Sequence, residues 1–588
     1  MQFLGPSISD RVDISLTKYF MSSWFWLNFR REIMNSLWVL LWWLVIVVIG
    51  YWVYARWVSR KVYEADPNKA TPAKMYMDGV DFMPANKNVL FGFQLNSIAG
   101  AAPIVGPIVA LQWGWLPAVL WLGLGVLFIG WLHDYSSAMV SVRNDGETFG
   151  AISYKLISPR ARGILLAFIY FYLLLVAGAF LHIITSGLVG NAALPFPMLV
   201  VIAVAFLVGH MIYKAKVNII GTTILAIVLI FVAIGVGPYL PIKTSYTVML
   251  ICILIFAYFS AVLPVWRFIQ PYNYASVYVV YFGIICGVIG ILAGAKPLTL
   301  PVFTGWSTPV GPLWPLLFVT IACGAISGWH SLVNSTATSR QIERETDVRP
   351  VSAGAMFTEF TIGIIALIVC ATAFADSAGY LEALGKSGPT GIFSIALGGA
   401  MQVLGIPAGY AKSMAGAMLI ILALTVINLV FRFMKVATIE LLGDKMGIAK
   451  NHHVATIAAL IIAFVLVRTG SWLYIWLLFG GANQLMAGLA LLLVTLYLLM
   501  KGKNYRIAVY PMFFMYATTV AALFYMVFWN FIPKLGQVSG GKLVGYVFSA
   551  GLGIVLIILA LILAWDGYKA FKKYKAEYGK VPKEAVEA

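Results

Sequence analysis

The sequence predicts an all-α polytopic integral membrane protein. Hydrophobic residues occupy 61% of its 588 positions, charged residues occupy only 11%, and the mean hydropathy is +0.91. Soluble chains average about 25% charged residues. The apolar runs are long and unbroken, whereas an outer-membrane barrel alternates apolar and polar positions. The composition therefore excludes a soluble globular, disordered or disulfide-rich secreted protein, and also a β-barrel.

Fifteen apolar runs are long enough to be membrane spans, for which a helix needs about 20 apolar residues. They lie near residues 35–56, 89–112, 115–142, 161–190, 197–213, 218–239, 245–268, 271–294, 312–334, 353–375, 409–437, 452–467, 471–499, 507–532 and 543–565. A sixteenth stretch, 389–406, is short and rich in glycine. We expect it to be a re-entrant or interfacial piece within an outer loop.

The basic residues indicate the orientation. If the C-terminus is cytoplasmic, 29 of the 40 lysines and arginines lie in inner loops and tails, as the positive-inside rule requires. Fifteen spans then place the N-terminus outside. Residues 1–34 are polar and amphipathic and contain no cleavable signal. The net charge of +18 therefore indicates cytoplasmic loops beside a lipid bilayer and not nucleic-acid binding.

Two runs carry helix-breaking residues at membrane depth. Run 89–112 contains Gly100 and Pro103, and run 245–268 contains Pro264. A proline removes a backbone donor and clashes with the preceding turn, and a broken helix survives in a membrane only beside protein or a water-filled cavity. Either break alone could be a simple kink. Two breaks that each open five spans favour an inverted-repeat transporter with its site at the breaks.

A third run carries a polar stripe at helical spacing, which cannot comfortably face lipid. It consists of Ser327, His330, Ser331, Asn334, Ser335 and Thr338. Single serines usually serve as interhelical hydrogen-bond partners. Six polar residues that include a histidine favour the lining of a cavity.

Few ionisable residues lie within the spans, and each is a functional hypothesis by default. They include Asp134, Glu359 and His330 as candidate proton carriers, together with His182. Ser331 and Ser335 are candidate sodium ligands. The four cysteines lie in apolar runs without metal-ligand spacing, and no nucleotide-binding or catalytic motif is present. The sequence therefore predicts no enzyme activity, no metal and no cofactor.

The break in the first run predicts an anion site. The half-helix that begins at Pro103 offers free N–H groups and the positive end of its dipole, and Gly100 allows close approach of the backbone. A carboxylate substrate would fit such a site. The predicted substrate-binding residues are Gly100, Ala101, Ala102, Pro103, His182, Pro264, Ser327, His330 and Ser331.

Several segments, in the right order between about residues 50 and 500, resemble the carbon starvation protein A (CstA) family. They are 78–92 (DGVDFMPANKNVLFG), 98–107 (IAGAAPIVGP), 322–331 (ACGAISGWHS), 345–347 (ETD) and 479–488 (FGGANQLMAG). The resemblance implies a prokaryotic inner-membrane transporter for peptides, taken up during carbon starvation, or for pyruvate. It also implies kinship with the amino acid–polyamine–organocation superfamily. The fold would then be a five-plus-five inverted-repeat, leucine-transporter-like core with extra helices at both ends.

The chain departs from the family pattern at two places. It has Phe93-Gln94 where a His-His pair is expected, and Asn428 where an aspartate is expected in a segment that keeps Arg432. The resemblance adds Asn428 and Arg432 to Asp134, Glu359 and Ser335 as candidate coupling residues.

Together these observations predict a secondary active transporter that takes up small carboxylate-bearing nutrients with a proton or sodium gradient. A channel or facilitator without ion coupling is the alternative, and substrate counterflow distinguishes the two. The sequence leaves the oligomeric state open. The predicted divisions are 1–88 (tail, first span and loop), 89–240 (first repeat), 241–440 (second repeat), 441–566 (additional spans) and 567–588 (basic cytoplasmic tail).

Overall fold

The computed structural model describes residues 35–79, 81–264, 267–443, 446–469 and 472–578. These residues form a helical bundle with one short hairpin. The predicted N-terminal tail, residues 1–34, and the last ten residues of the C-terminal tail lie outside the described residues.

The helices form because the apolar runs must satisfy their own backbone groups within the membrane. In chain order they are α1 (Ser36–Val62), α2 (Lys87–Ala99), α3 (Ala102–Trp113), α4 (Trp115–Val142), α5 (Phe149–Leu156), α6 (Pro159–Gly190), α7 (Pro195–Tyr213), α8 (Ile219–Tyr239), α9 (Tyr246–Val262), α10 (Ile269–Gly294), α11 (Leu313–Thr320), α12 (Gly328–Val333), α13 (Glu345–Ala373), α14 (Ser377–Val403), α15 (Ala408–Leu442), α16 (His452–Thr469), α17 (Trp472–Met500), α18 (Arg506–Gln537) and α19 (Gly540–Tyr578). A π-helical turn, Asn334–Thr338, continues α12. Strands β1 (Ser307–Thr308) and β2 (Gly311–Pro312) form an antiparallel hairpin.

Twelve of the described helices are long and apolar enough to cross a bilayer, and α2 with α3 makes a thirteenth if that pair, bent by 42°, is one span. The prediction of an all-helical, multi-span protein is confirmed. Fifteen full-length spans are not found among the described residues. Run 245–268 forms the 17-residue helix α9, and run 312–334 is divided between α11 and α12.

The core is built around α15 and α17, whose most apolar segments are completely buried. Helix α6 packs against both, α4 packs against α17, and α13 is also largely buried, whereas α1 and α8 bury only 28% of their most apolar segments and lie at the periphery. The Gly-rich stretch 389–406 forms the second part of α14, which is interrupted at Gly388 (φ 62°, ψ 178°) and packs against α15 and α13.

The chain is interrupted at Pro264, but this interruption is the end of a helix and not a break that divides one span into two half-helices. Helix α9 ends at Val262, and Pro264 lies in the connection to α10. Two cations of α15 satisfy this helix end, because Lys435 Nζ donates to the Ala261 carbonyl (2.7 Å) and Arg432 Nη1 donates to the Leu263 carbonyl (3.0 Å). The boundary between the two repeats, predicted at residues 240/241, therefore lacks the support of a second broken helix. The five-plus-five repeat stays a prediction.

A second break does exist, but it lies at residues 321–327, between α11 and α12. The predicted continuous helical stripe is therefore wrong at its start, since Ser327 precedes the first turn of α12. Side chains of α17 form hydrogen bonds on both sides of this break. Gln484 Nε2 donates to the carbonyls of Phe318 (2.8 Å) and Ile321 (3.2 Å), and Asn483 Oδ1 accepts the Trp329 N–H (3.0 Å).

These hydrogen bonds require the backbones of α17 and α11 to approach each other closely. A Cβ atom at Gly480 would overlap the carbonyl oxygen of Val319, and the backbone of α11 cannot turn aside as a flexible side chain can. We expect Gly480→Ala to lower the free energy of unfolding by roughly 1–3 kcal/mol. Melting of the detergent-purified protein measures this. Gly551→Ala is the control, because a Cβ there meets no atom within 4 Å. Equal melting temperatures for the two variants would contradict the packing described.

Candidate functional site

The first break lies at Gly100 and Ala101, where the sequence places it. Gly100 has φ +42° and ψ −162°, which a residue with a Cβ rarely adopts. A Cβ there would lie 2.8 Å from Val426 and 3.0 Å from Phe180. The break is therefore packed by apolar side chains. Pro103 has no N–H, and the N–H groups of the next two residues bond to the Ala101 carbonyl, so fewer donors are free than the sequence predicts.

The two breaks touch each other. A Cβ at Gly106 would lie 2.6 Å from the Thr320 carbonyl oxygen, at the end of α11. Gly324, within the second break, faces Pro103, and Gly363 of α13 lies against the Pro103 carbonyl. A movement at either break must therefore move the other.

Beside the second break lies a group of buried ionisable side chains, which we call the His330 cluster: His133, Asp134, Cys323, His330 and Glu359. Asp134 holds both histidines. Its Oδ2 lies 2.8 Å from His330 Nδ1, and its Oδ1 lies 2.9 Å from His133 Nδ1. All three side chains are completely buried. The cluster joins α4, α12 and α13.

Glu359 completes the cluster on the other side of His330. Its Oε2 lies 3.1 Å from His330 Nε2, which is ion-pair distance, but the two groups are not aligned for a hydrogen bond. Neither Glu359 oxygen has a hydrogen-bond partner among the described residues. Donor atoms of Cys323, His330 and Glu359 lie within 4.8 Å of one another and are of types that bind transition metals. The absence of a metal stays a prediction.

A chain of polar side chains leads from the cluster towards the side that the basic loops assign to the cytoplasm. Asn334 Nδ2 donates to the Asp134 carbonyl (3.1 Å), and Asn334 Oδ1 accepts from Gln94 Nε2 (2.9 Å). Gln94 Oε1 accepts from Thr338. The neighbouring Ser339 then bonds to Ser141 at the end of α4 (2.9 Å). These groups are completely buried and form a nearly continuous polar route.

Asn483 anchors the other side of the second break. Its Oδ1 accepts from the Tyr172 hydroxyl (2.7 Å), and its Nδ2 donates to Ser327 (3.0 Å) and lies 3.5 Å from Cys323 Sγ. The hydroxyls of Ser331 and Ser335 donate to carbonyls of their own helix, at Gly328 (2.7 Å) and Ser331 (2.8 Å). Both hydroxyl oxygens keep lone pairs, so a sodium role stays a prediction.

His182 lies apart from the cluster, in the wall of an outer cavity of about 690 Å³. Its Nδ1 lies 2.8 Å from the Tyr246 hydroxyl, and its Nε2 lies 3.1 Å from Ser186 Oγ. Lys386 and Lys412 also line this cavity. Its lining includes Val109 of α3 and the break at Gly388, so it lies above the first break on the side that the basic loops assign to the exterior.

Asn428 and the Pro264 region also lie apart from the cluster. Asn428 is completely buried, and neither its side-chain oxygen nor its nitrogen has a partner among the described residues. Arg432 lies one turn further along α15 and caps α9. Of the predicted site residues, the structure joins Asp134, His330 and Glu359 in the cluster, with Ser327 beside Cys323 and Pro103 against Gly324 and Gly363.

An ion pair at the inner ends of α4 and α13 closes the polar route. Glu345 is buried and accepts from Arg143 Nε (2.9 Å) and Nη2 (2.8 Å). Burial by itself lowers the pKa of Arg143, but the Glu345 carboxylate outweighs this and holds that pKa above its ordinary value. The pair explains why a glutamate stands in the motif at 345–347.

Sequence reasoning missed four groups of this site. His133 adjoins Asp134, and that adjacency was the available signal. Gln94 was noted only as a departure from a family. Asn483 and its partner Tyr172 are separated by 311 residues, and the motif at 479–488 carried no interpretation of its own.

The arrangement suits proton binding. Two carboxylates and two imidazoles share a space without solvent, where unbalanced charge is costly. Imidazole can accept a proton at one nitrogen while it donates at the other. The cluster can therefore gain or lose a proton at His330 or Glu359, which changes how tightly α12 and α13 are held.

Comparisons with known proteins indicate the family of this chain. A family profile described as "Carbon starvation protein CstA" matches residues 35–383 and 372–522. The "Pyruvate/proton symporter BtsT" of Escherichia coli is 32% identical over 357 residues, which cover 58% of this chain and 49% of that protein. The "Peptide transporter CstA" of Bacillus subtilis is 27% identical over 609 residues, covering 94% and 99%.

One solved structure, a mutant of the manganese transporter of Eremococcus coleocola, aligns with 84% of this chain and 99% of its own. The identity is 13% and the TM-score is 0.49.

The two carboxylates of the cluster should differ in their effect on stability. Asp134→Asn removes the acceptor of two histidines and should lower the free energy of unfolding by roughly 2–4 kcal/mol. Glu359→Gln removes the carboxylate at ion-pair distance from His330 but breaks no hydrogen bond, and should lower it by less than Asp134→Asn does. Melting of both purified variants measures the difference. A Glu359→Gln variant as unstable as Asp134→Asn would contradict this arrangement.

Proposed function

This chain belongs to the carbon starvation protein CstA family, and we propose that it is a secondary active transporter driven by protons. Its substrates are small carboxylate-bearing nutrients, namely short peptides or pyruvate. It lies in a prokaryotic inner membrane with the C-terminus in the cytoplasm. The printed names of the relatives support both substrate classes, and one of those names includes proton symport. The bias of the basic residues supports the orientation.

The observation that carries the proposal is the His330 cluster at membrane depth. Glu359 lies in the middle of the span Glu345–Ala373 and is completely buried. A buried ionisable group in a span is expensive and marks proton or substrate pathways in pumps and transporters. His330 lies between two carboxylates, so the gain or loss of one proton decides whether the positive and negative charges of the cluster are balanced. A proton gradient can therefore do work on this site.

The proton leaves towards the cytoplasm along the polar route that begins at Asn334. Asn334, Gln94 and Thr338 are hydrogen-bonded in series, and each can exchange its partners without a change of charge. The Arg143–Glu345 pair lies at the inner end. Opening that pair would connect the route to water.

The substrate follows a different route, through the first break. Lys386 and Lys412 of the outer cavity attract a carboxylate, and His182 can donate to it or accept from it. Below the cavity, Phe180 and Val426 close around Gly100. The state described is therefore closed at the break. Passage requires that these side chains separate.

The contact between the breaks links the two routes. Protonation of the cluster acts on α12 and α13, and both α13 and the break that precedes α12 lie against Pro103, through Gly363 and Gly324. Substrate at Gly100 acts on the same contact from the other side. Each ligand therefore changes the affinity for the other, as reciprocal linkage requires.

Uptake into proteoliposomes tests the proposal, with labelled pyruvate and dipeptides and with proton or sodium gradients imposed separately. We expect an inside-alkaline gradient to drive accumulation of a carboxylate. Glu359→Gln should lose most of the accumulation driven by the gradient and keep counterflow exchange, because the substrate route stays intact. Glu577→Gln, at an exposed position in the last turn of α19, is the matched control.

Two outcomes would contradict the proposal. Accumulation driven by sodium alone would show that ion coupling does not take place at the His330 cluster. Flux that responds to neither gradient would describe a channel or facilitator.

A further inference from the structure

A second cavity, of about 250 Å³, lies on the side assigned to the cytoplasm, beneath the second break. It is enclosed by α5, α6, the inner half of α15 and the turn that continues α12. Its walls carry three cations, Arg340, Arg432 and Lys435, and two acids, Asp81 and Glu440. No function assigned above uses this cavity.

The charges that face the cavity do not balance. Arg340 lies 3.8 Å from Asp81, and Glu440 is held by Arg162 at 3.2 Å. Arg432 and Lys435 donate to backbone carbonyls at the end of α9, and no hydrogen bond to a carboxylate joins either cation among the described residues. A guanidinium has five N–H donors and an ammonium has three. Donors therefore remain for an anion.

The rest of the wall is apolar and includes Phe149, Leu166, Leu332 and Phe433. Phe433 lies 5.4 Å from the ring of Trp329, and the indole of Trp329 donates to the Ser97 carbonyl near the end of α2 (2.8 Å). One aromatic pair therefore separates this cavity from the first break.

We propose that this cavity is the inner binding site for the carboxylate of the transported substrate, with Arg432 and Lys435 as its charged partners. The inference rests on the proposed function, because it assigns the ligand as the substrate. The cations hold the carboxylate, the aromatic and aliphatic walls cover a short apolar remainder, and Trp329 with Phe433 closes the site towards the break. Arg432 is then a substrate-binding residue and not a coupling residue.

Protection of a cysteine tests this directly. Thr336 lines the cavity and is half-buried, so Thr336→Cys is placed in a Cys252→Ala background, since Cys252 is exposed. Alkylation by N-ethylmaleimide in detergent is followed by mass spectrometry. Acetate and pyruvate at millimolar concentration should slow it several-fold, and acetamide, which has the same shape without the charge, should not. Arg432→Gln should abolish the protection. Arg160→Gln, an exposed charge at the inner end of α6, should keep it.

Several results would overturn the assignment. They are protection by acetamide equal to that by acetate, protection that survives Arg432→Gln, and equal protection by inorganic phosphate. In nanodiscs, protection by phosphatidylglycerol with none by acetate would assign the site to a lipid headgroup. If Arg432→Gln does not fold, the comparison of acetate with acetamide still decides. Protection does not require transport. Protection of the cysteine without any uptake of pyruvate or dipeptides would therefore contradict the proposed function only. Uptake without protection of the cysteine would contradict this inference only.

Discussion

The structure depends on keeping a group of ionisable side chains electrically balanced where no water reaches them. Asp134 holds His133 and His330 on its two oxygens, and Glu359 lies against the remaining nitrogen of His330. Removing one partner from such a group leaves a buried charge uncompensated. Helices α4, α12 and α13 must therefore meet at this point. The interruption between α11 and α12 brings His330 to it.

The interruption itself is held from a distance. Asn483 and Gln484 of α17 satisfy the backbone and side-chain groups that the missing helical turns leave open. Gly328 and Gly480 permit the approach, because a Cβ at either would overlap a backbone oxygen of the facing segment. The break in the first core helix packs on the same place. In the proposed mechanism, the proton and the substrate therefore act on the same contact between the two breaks.

The sequence predicts the helices well where hydrophobicity alone decides. Long runs such as 161–190 became helices with nearly the expected ends, and Gly100 with Pro103 located the first break. The prediction of two half-helices at Pro264 fails because a proline shows only that a helix is disfavoured there. The depth of the helix end is set by Arg432 and Lys435, which lie about 170 residues away. The break at 321–327 contains one glycine and no proline, which is too weak a local signal to predict the end of a helix. The sequence predicts His330 from its stripe and Asp134 as an acid within a span, but only the fold shows that the two are partners.

In the proposed mechanism, proton movement is inseparable from carboxylate movement, and the most direct test measures both together. Proteoliposomes with an entrapped pH dye and a clamped membrane potential start without a gradient, and pyruvate or a dipeptide is added outside. We expect the interior to acidify in step with the uptake of label, beyond the change in protein-free liposomes. Uptake of label at the same rate with no change in internal pH would contradict the central claim.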